Sequence, residues 1–134
     1  MRFLKTAVLV VALAAPAYAD VRLAKNNLRV EFAGGQFEVF TKAGWSPAAL
    51  FCAAGDVARI SGAKSNDTLV VTRNVGQSPT RANRRSASFE LVPRSEAKER
   101  SFFTLTAGFG PGLTKSVGAA VFACEQESLL RNRN

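Results

Sequence analysis

The chain contains no histidine. Histidine is the commonest general base and a leading metal ligand, so its absence excludes Ser-His-Asp hydrolases and the usual zinc sites. Ser-Lys or carboxylate chemistry stays formally open, but no spacing singles out a pair, and a non-enzymatic protein is expected. Cys52 and Cys124 are the only cysteines, and neither has a neighbouring Cys or His with which to hold a metal. Acidic residues are in deficit, with 10 Asp and Glu against 18 Lys and Arg and a formal charge of +8. After residue 19 no stretch is long and apolar enough to cross a bilayer. No motif implies a cofactor.

What is present begins with an export address. Arg2 and Lys5 precede an apolar run from Ala7 to Ala15, and Ala17-Tyr18-Ala19 ends the segment with small residues one and three places before a cut. That pattern predicts a secretory signal peptide over residues 1–19, with the mature protein beginning at Asp20 and no Cys there to take a lipid. The protein is then periplasmic or extracellular. Removing those residues leaves 115 of the 134, one domain that buries about two-thirds of its unfolded surface. A single globular domain is expected over 20–126, followed by a frayed polar tail over 127–134.

Export gives the two cysteines a purpose. An even count in an oxidising compartment predicts one disulfide, Cys52 to Cys124, whose loop closure stabilises the fold by about 4 kcal/mol in the chain-entropy view. Loss of Arg2 and Lys5 leaves 16 basic side chains against 10 acidic, a charge of +6. The electrostatic partners in an envelope are anionic polymers, lipid headgroups or acidic proteins, whereas nucleic acid is mostly elsewhere.

Leu28, Val30 and Phe32 alternate with Arg29 and Glu31, and Phe37 and Val39 alternate with Glu38 and Phe40, on either side of Gly34-Gly35. A tight hairpin is predicted, because Gly-Gly accepts the positive φ angles of a two-residue turn. Phe32 then faces Phe37 and Val30 faces Val39 on the buried side. Glu31 faces Glu38 on the other, which weakens the pair unless a cation such as Arg29 or Arg22 screens it or a bulge shifts the register. Two close carboxylates are also a geometry for acid–base or cation chemistry, but with no evident cover over this face they read as solvated. Val21 and Leu23 extend the first strand backwards.

Ser46-Pro47 is a helix start, a capping hydroxyl followed by proline at the first helical position. A helix is expected over about 46–61, with Leu50, Ala54, Val57, Ala58 and Ser61 on one face and Trp45 stapled towards Leu50, which reads the lone tryptophan as structural rather than as a ligand platform. At 100° per residue Cys52 projects away from that apolar face, beside Asp56 and Arg59. The disulfide therefore straps the C-terminal segment across the outer or lateral side of the helix.

Three more strands are expected: Thr68–Arg73, Ser86–Val92 and Ser101–Ala107. Between the first two, residues 74–85 read as an exposed, mobile loop holding Arg81, Arg84 and Arg85, the densest basic cluster. These three arginines are the candidate anion-binding residues, although the loop has no aromatic on which a base or sugar stacks. Pro93 to Arg100 is a second polar connection. Gly108-Phe109-Gly110-Pro111-Gly112-Leu113-Thr114-Lys115-Ser116 superficially matches a phosphate-binding loop, but Thr114 stands where glycine must precede the Lys, and Pro111 removes a donor. Residues 113–124 fit helix and strand spacing equally.

Phe37-Glu38-Val39-Phe40 followed by Phe51-Cys52-Ala53-Ala54-Gly55-Asp56-Val57-Ala58 resembles small exported proteins of alphaproteobacteria that have no assigned function. The resemblance covers about half the mature chain and implies no activity; it favours a helix bearing a structural cysteine. The expected fold is α+β: an antiparallel sheet of about five strands, the 46–61 helix packed on one face, and a C-terminal helix or strand tied by the disulfide. The expected function is binding, through the basic surface, of an anionic envelope component or protein partner. The competing expectation is a small hydrolase or inhibitor-like module with a cleft between helix and sheet.

Overall fold

The computed structural model describes residues 20–97 and 108–133. The expected leader and the expected strand Ser101–Ala107 lie outside the described residues. Within them the chain is α+β, with a six-stranded antiparallel sheet rather than about five strands, in the order β1-β2-β3-β5-β4-β6.

β1 (Asp20–Leu23) and β2 (Arg29–Ala33) are two strands, not one extended strand. Asn27, at φ 65°, closes a turn in which its N–H donates to the Ala24 carbonyl at 2.8 Å. The turn is tied to the helix behind it: the Lys25 N–H donates to Asp56 Oδ2 at 2.8 Å and the Asn26 amide donates to the Ala49 carbonyl at 2.9 Å. β2 and β3 (Gln36–Phe40) form the expected hairpin, with Phe32 opposite Phe37, Val30 opposite Val39 and Glu31 opposite Glu38. Gly34 and Gly35 have φ of 55° and 81°, values at which a side chain is strained.

α1 (Pro47–Ile60) starts as expected, with Ser46 accepting the Ala49 N–H at 3.1 Å. Every residue from Leu50 to Ala58 is buried, because the helix is covered on both sides. Leu50, Ala54 and Val57 belong to the core shared with the sheet, and Phe51 meets Phe89 edge-on at 5.2 Å. The opposite side receives α3 (Val117–Arg131). Cys52 is bonded to Cys124, with Cα atoms 5.0 Å apart, so the strap crosses the side of α1 that the helical wheel indicates. Three residues on, Gly55 meets Ala120 so closely that a Cβ on it would lie 2.6 Å from the Ala120 Cβ.

The helix-or-strand ambiguity at 113–124 resolves into both. β6 (Thr114–Ser116) pairs with the edge of β4 (Thr68–Gln77), and the Ser116 hydroxyl then accepts the Ala119 N–H at 3.1 Å as the cap of α3. α3 runs to Arg131, so residues 127–131, read from composition as tail, are helical. β4 and β5 (Arg85–Val92) are longer than their expected spans. α2 (Arg94–Ala97) is a single exposed turn in the polar connection after β5.

Candidate functional site

The outer face of the sheet, opposite α1, holds Glu31 and Glu38, and neither is solvated: they are 7% and 9% exposed. The cover is the supposedly mobile segment after Arg73. Register shifts in β4 between Val71 and Arg73 and between Arg73 and Gly76 bend the strand, as bulges do. Its connection to β5 folds back over the glutamates. Arg73 secures the bend, donating from Nη1 to the Ser86 carbonyl at 3.0 Å and from Nε to Ser88 Oγ at 3.2 Å.

Each carboxylate then has its own donors. Glu38 accepts the hydroxyls of Ser78, Ser86 at 2.8 Å and Thr80 at 2.8 Å. Ser78 is buried, and its Oγ also accepts the N–H groups of Thr80 at 3.2 Å and Arg81 at 3.0 Å, which fixes the turn. Glu31 accepts Arg81 Nε at 2.9 Å and Nη2 at 2.5 Å, together with Arg29 Nη2 at 3.0 Å. Burial alone raises the Glu31 pKa, but the hydrogen bonds and positive charges of Arg81 and Arg29 outweigh it and hold the carboxyl below its ordinary value. A carboxylate so held has no proton to give at neutral pH, and its partner is surrounded by donors. The pair acts as a clasp on the 78–84 turn rather than as an acid–base couple.

The clasp separates the three candidate arginines. Arg81 is spent on Glu31. Arg84 lies with its guanidinium carbon 5.2 Å from the centre of the Phe40 ring, a cation–π contact, and makes no ion pair among the described residues. Arg85 opens β5, and its carbonyl accepts the Thr41 N–H at 3.0 Å, extending the β3–β5 ladder by one residue. This brings the end of β3 beside the start of β5. The chain then turns through Gly44, at φ 76°, and the Trp45 N–H donates to the Lys42 carbonyl at 3.2 Å.

The result is a surface cleft of about 300 Å³ in which Lys42, Trp45, Asn83, Arg84 and Arg85 converge. Among the described residues no acidic side chain lines it and no ion pair engages its three cations. Trp45 is 40% exposed and is held edge-on by Phe109, with centroids 6.2 Å apart. Phe109 in turn packs on Phe51 and Phe89, so the indole stands on the aromatic part of the core.

No known family model, curated protein or solved structure matches the chain. The cleft must therefore be read from its own chemistry. Sequence reasoning found Arg84 and Arg85, passed over Lys42, and read Trp45, some forty positions earlier, as structural rather than as a ligand platform. The signal available was the hairpin register, which places the residues after Phe40 at the sheet end where β5 begins. By contrast, the contact between α1 and the sheet is filled by Leu50, Phe51 and Val57, and among the described residues no group of His, Cys, Asp and Glu is arranged to hold a metal.

Proposed function

We propose that this is a small exported, non-enzymatic binding protein that docks anionic groups of an envelope component in the cleft between the β3 end and the β5 start. The observation that carries this reading is the convergence of Lys42, Arg84 and Arg85 around Trp45 with no carboxylate among the described lining residues. Three cations in one concavity, without an ion pair among the described residues, raise the local concentration of anions and impose a cost on every cationic ligand. The disulfide and the absence, among the described residues, of a helix able to cross a membrane are compatible with export.

The experiment is binding to an acidic polymer as ionic strength rises. Affinity is expected to fall about tenfold or more between 50 and 200 mM salt, as displacement of counterions by about three cations requires. R84A/R85A should abolish binding at 150 mM salt. R81A should retain most of it, because that side chain lies outside the cleft and the Ser78 and Thr80 hydroxyls on Glu38 still hold the turn. Salt-independent binding, or an R84A/R85A variant that binds like wild type, would remove the reading.

A further inference from the structure

The tryptophan sets this cleft apart from a merely basic patch. We infer that the cleft takes an acidic saccharide, one sugar ring lying on Trp45 and its carboxylate held by Lys42, Arg84 and Arg85. This rests on the anion-binding reading and specifies its ligand.

A large indole left 40% exposed, yet fixed by its edge contact with Phe109, is a rigid apolar platform available to a ligand at little entropic cost. A quaternary amine, the usual guest of an exposed indole, is repelled by the three cations around it. Among the described residues a flat base has only one aromatic surface to stack on, since no second ring lines the cleft. Nor do the described residues offer a place for a lipid tail, because Ala43 is the largest purely aliphatic side chain among those lining it. The remaining guest has an apolar face, many hydroxyls and a negative charge.

A uronic acid meets all three conditions. The C–H face of the ring covers the indole, and the carboxylate matches the guanidinium fork of Arg84, which its cation–π contact holds beside Phe40. The hydroxyls have a complement in Asn83. Its backbone is held at φ 60° in the turn that carries Arg84, and its side-chain amide, both donor and acceptor, bonds to nothing else among the described residues. The volume of about 300 Å³ sits at the small end of ligand sites, which fits one or two sugar units of a longer chain rather than a whole oligosaccharide.

Trp45 is the only tryptophan in the chain, so intrinsic fluorescence reads this site alone. Oligogalacturonate added to the oxidised protein should change the emission saturably, and a neutral oligosaccharide of equal length should not. By calorimetry W45L, which keeps apolar bulk against Phe109 but lacks the flat ring, should weaken oligogalacturonate binding tenfold or more. W45F should stay within about threefold of wild type, with thermal unfolding confirming that both variants fold. Polyphosphate, which has charge but no sugar face, should bind W45L and wild type alike. If W45L binds oligogalacturonate within twofold of wild type while R84A/R85A does not bind it, the saccharide inference falls and the anion-binding reading stands. If polyphosphate binds and oligogalacturonate does not, the saccharide inference alone falls; if neither polyanion binds, or neither variant alters binding, both fall.

Discussion

Glu31 and Glu38 face each other across a hairpin, an arrangement that costs stability when both are bare. The fold resolves it by giving one carboxylate two arginines and the other three hydroxyls. The opposition was legible in the alternation around Gly34-Gly35. So was Arg29 as a screening cation, and it donates to Glu31. The other donors were not, because they arrive from forty to fifty residues away, on β5 and on a connection whose bends have no sequence signature as plain as a Gly-Gly turn. Glu31 has a folded pKa below its unfolded one, so its contribution to stability is full above the unfolded carboxylate pKa of about 4.3 and is lost as pH falls through the lower folded value. Acid titration of E31Q should accordingly lack part of the loss of stability that wild type shows below about pH 4.3. S78A takes one hydroxyl from buried Glu38 and the acceptor from two backbone N–H groups, and chemical denaturation should show a loss of about 1–3 kcal/mol. R81A, whose side chain is half exposed, should cost about 1 kcal/mol or less.

At the scale of elements, α1 was readable almost to the residue, since a Ser-Pro start and a 3.6-residue apolar period are local signals. Its second covered side was less plain. Small residues such as Gly55 read as helix-weakening until α3 is placed against them, and only then does the absence of a side chain explain the close approach. Replacing Gly55 with Ala therefore tests packing against propensity. Alanine improves an isolated helix by about 1 kcal/mol, but here its Cβ meets Ala120 at 2.6 Å and the Val121 backbone nitrogen at 3.2 Å. G55A should be destabilised by about 1–2 kcal/mol net, read from the denaturation midpoint. The β4–β5 connection illustrates the opposite failure. Its Ser, Pro, Asn and Arg content signals loop in general, yet Ser78, Thr80 and Arg81 within it are hydrogen-bond donors, and two buried glutamates supply the acceptors that order them.

Across the whole molecule the layers are α3, α1, the sheet and the 78–84 turn, joined at one end by the disulfide and at the other by the clasp. Cys52 and Cys124 are 72 positions apart, and reduction should lower stability by about 4 kcal/mol if the unfolded chain gains the full loop entropy. Because the disulfide secures α3 against α1, and the cleft is carried by β3, β5 and their turns, reduction under conditions that leave the protein folded should change ligand affinity less than twofold. The clasp has the contrary relation to function, since Arg84 and Asn83 sit on the turn it holds. The most direct test of the central claim is a map of amide chemical shifts as oligogalacturonate is added to the oxidised protein at low salt. The account predicts the largest changes at Lys42, Trp45, Asn83, Arg84 and Arg85, with α3 and the β1–β2 turn unmoved. Changes centred on α3, or spread evenly over every basic residue, would contradict it.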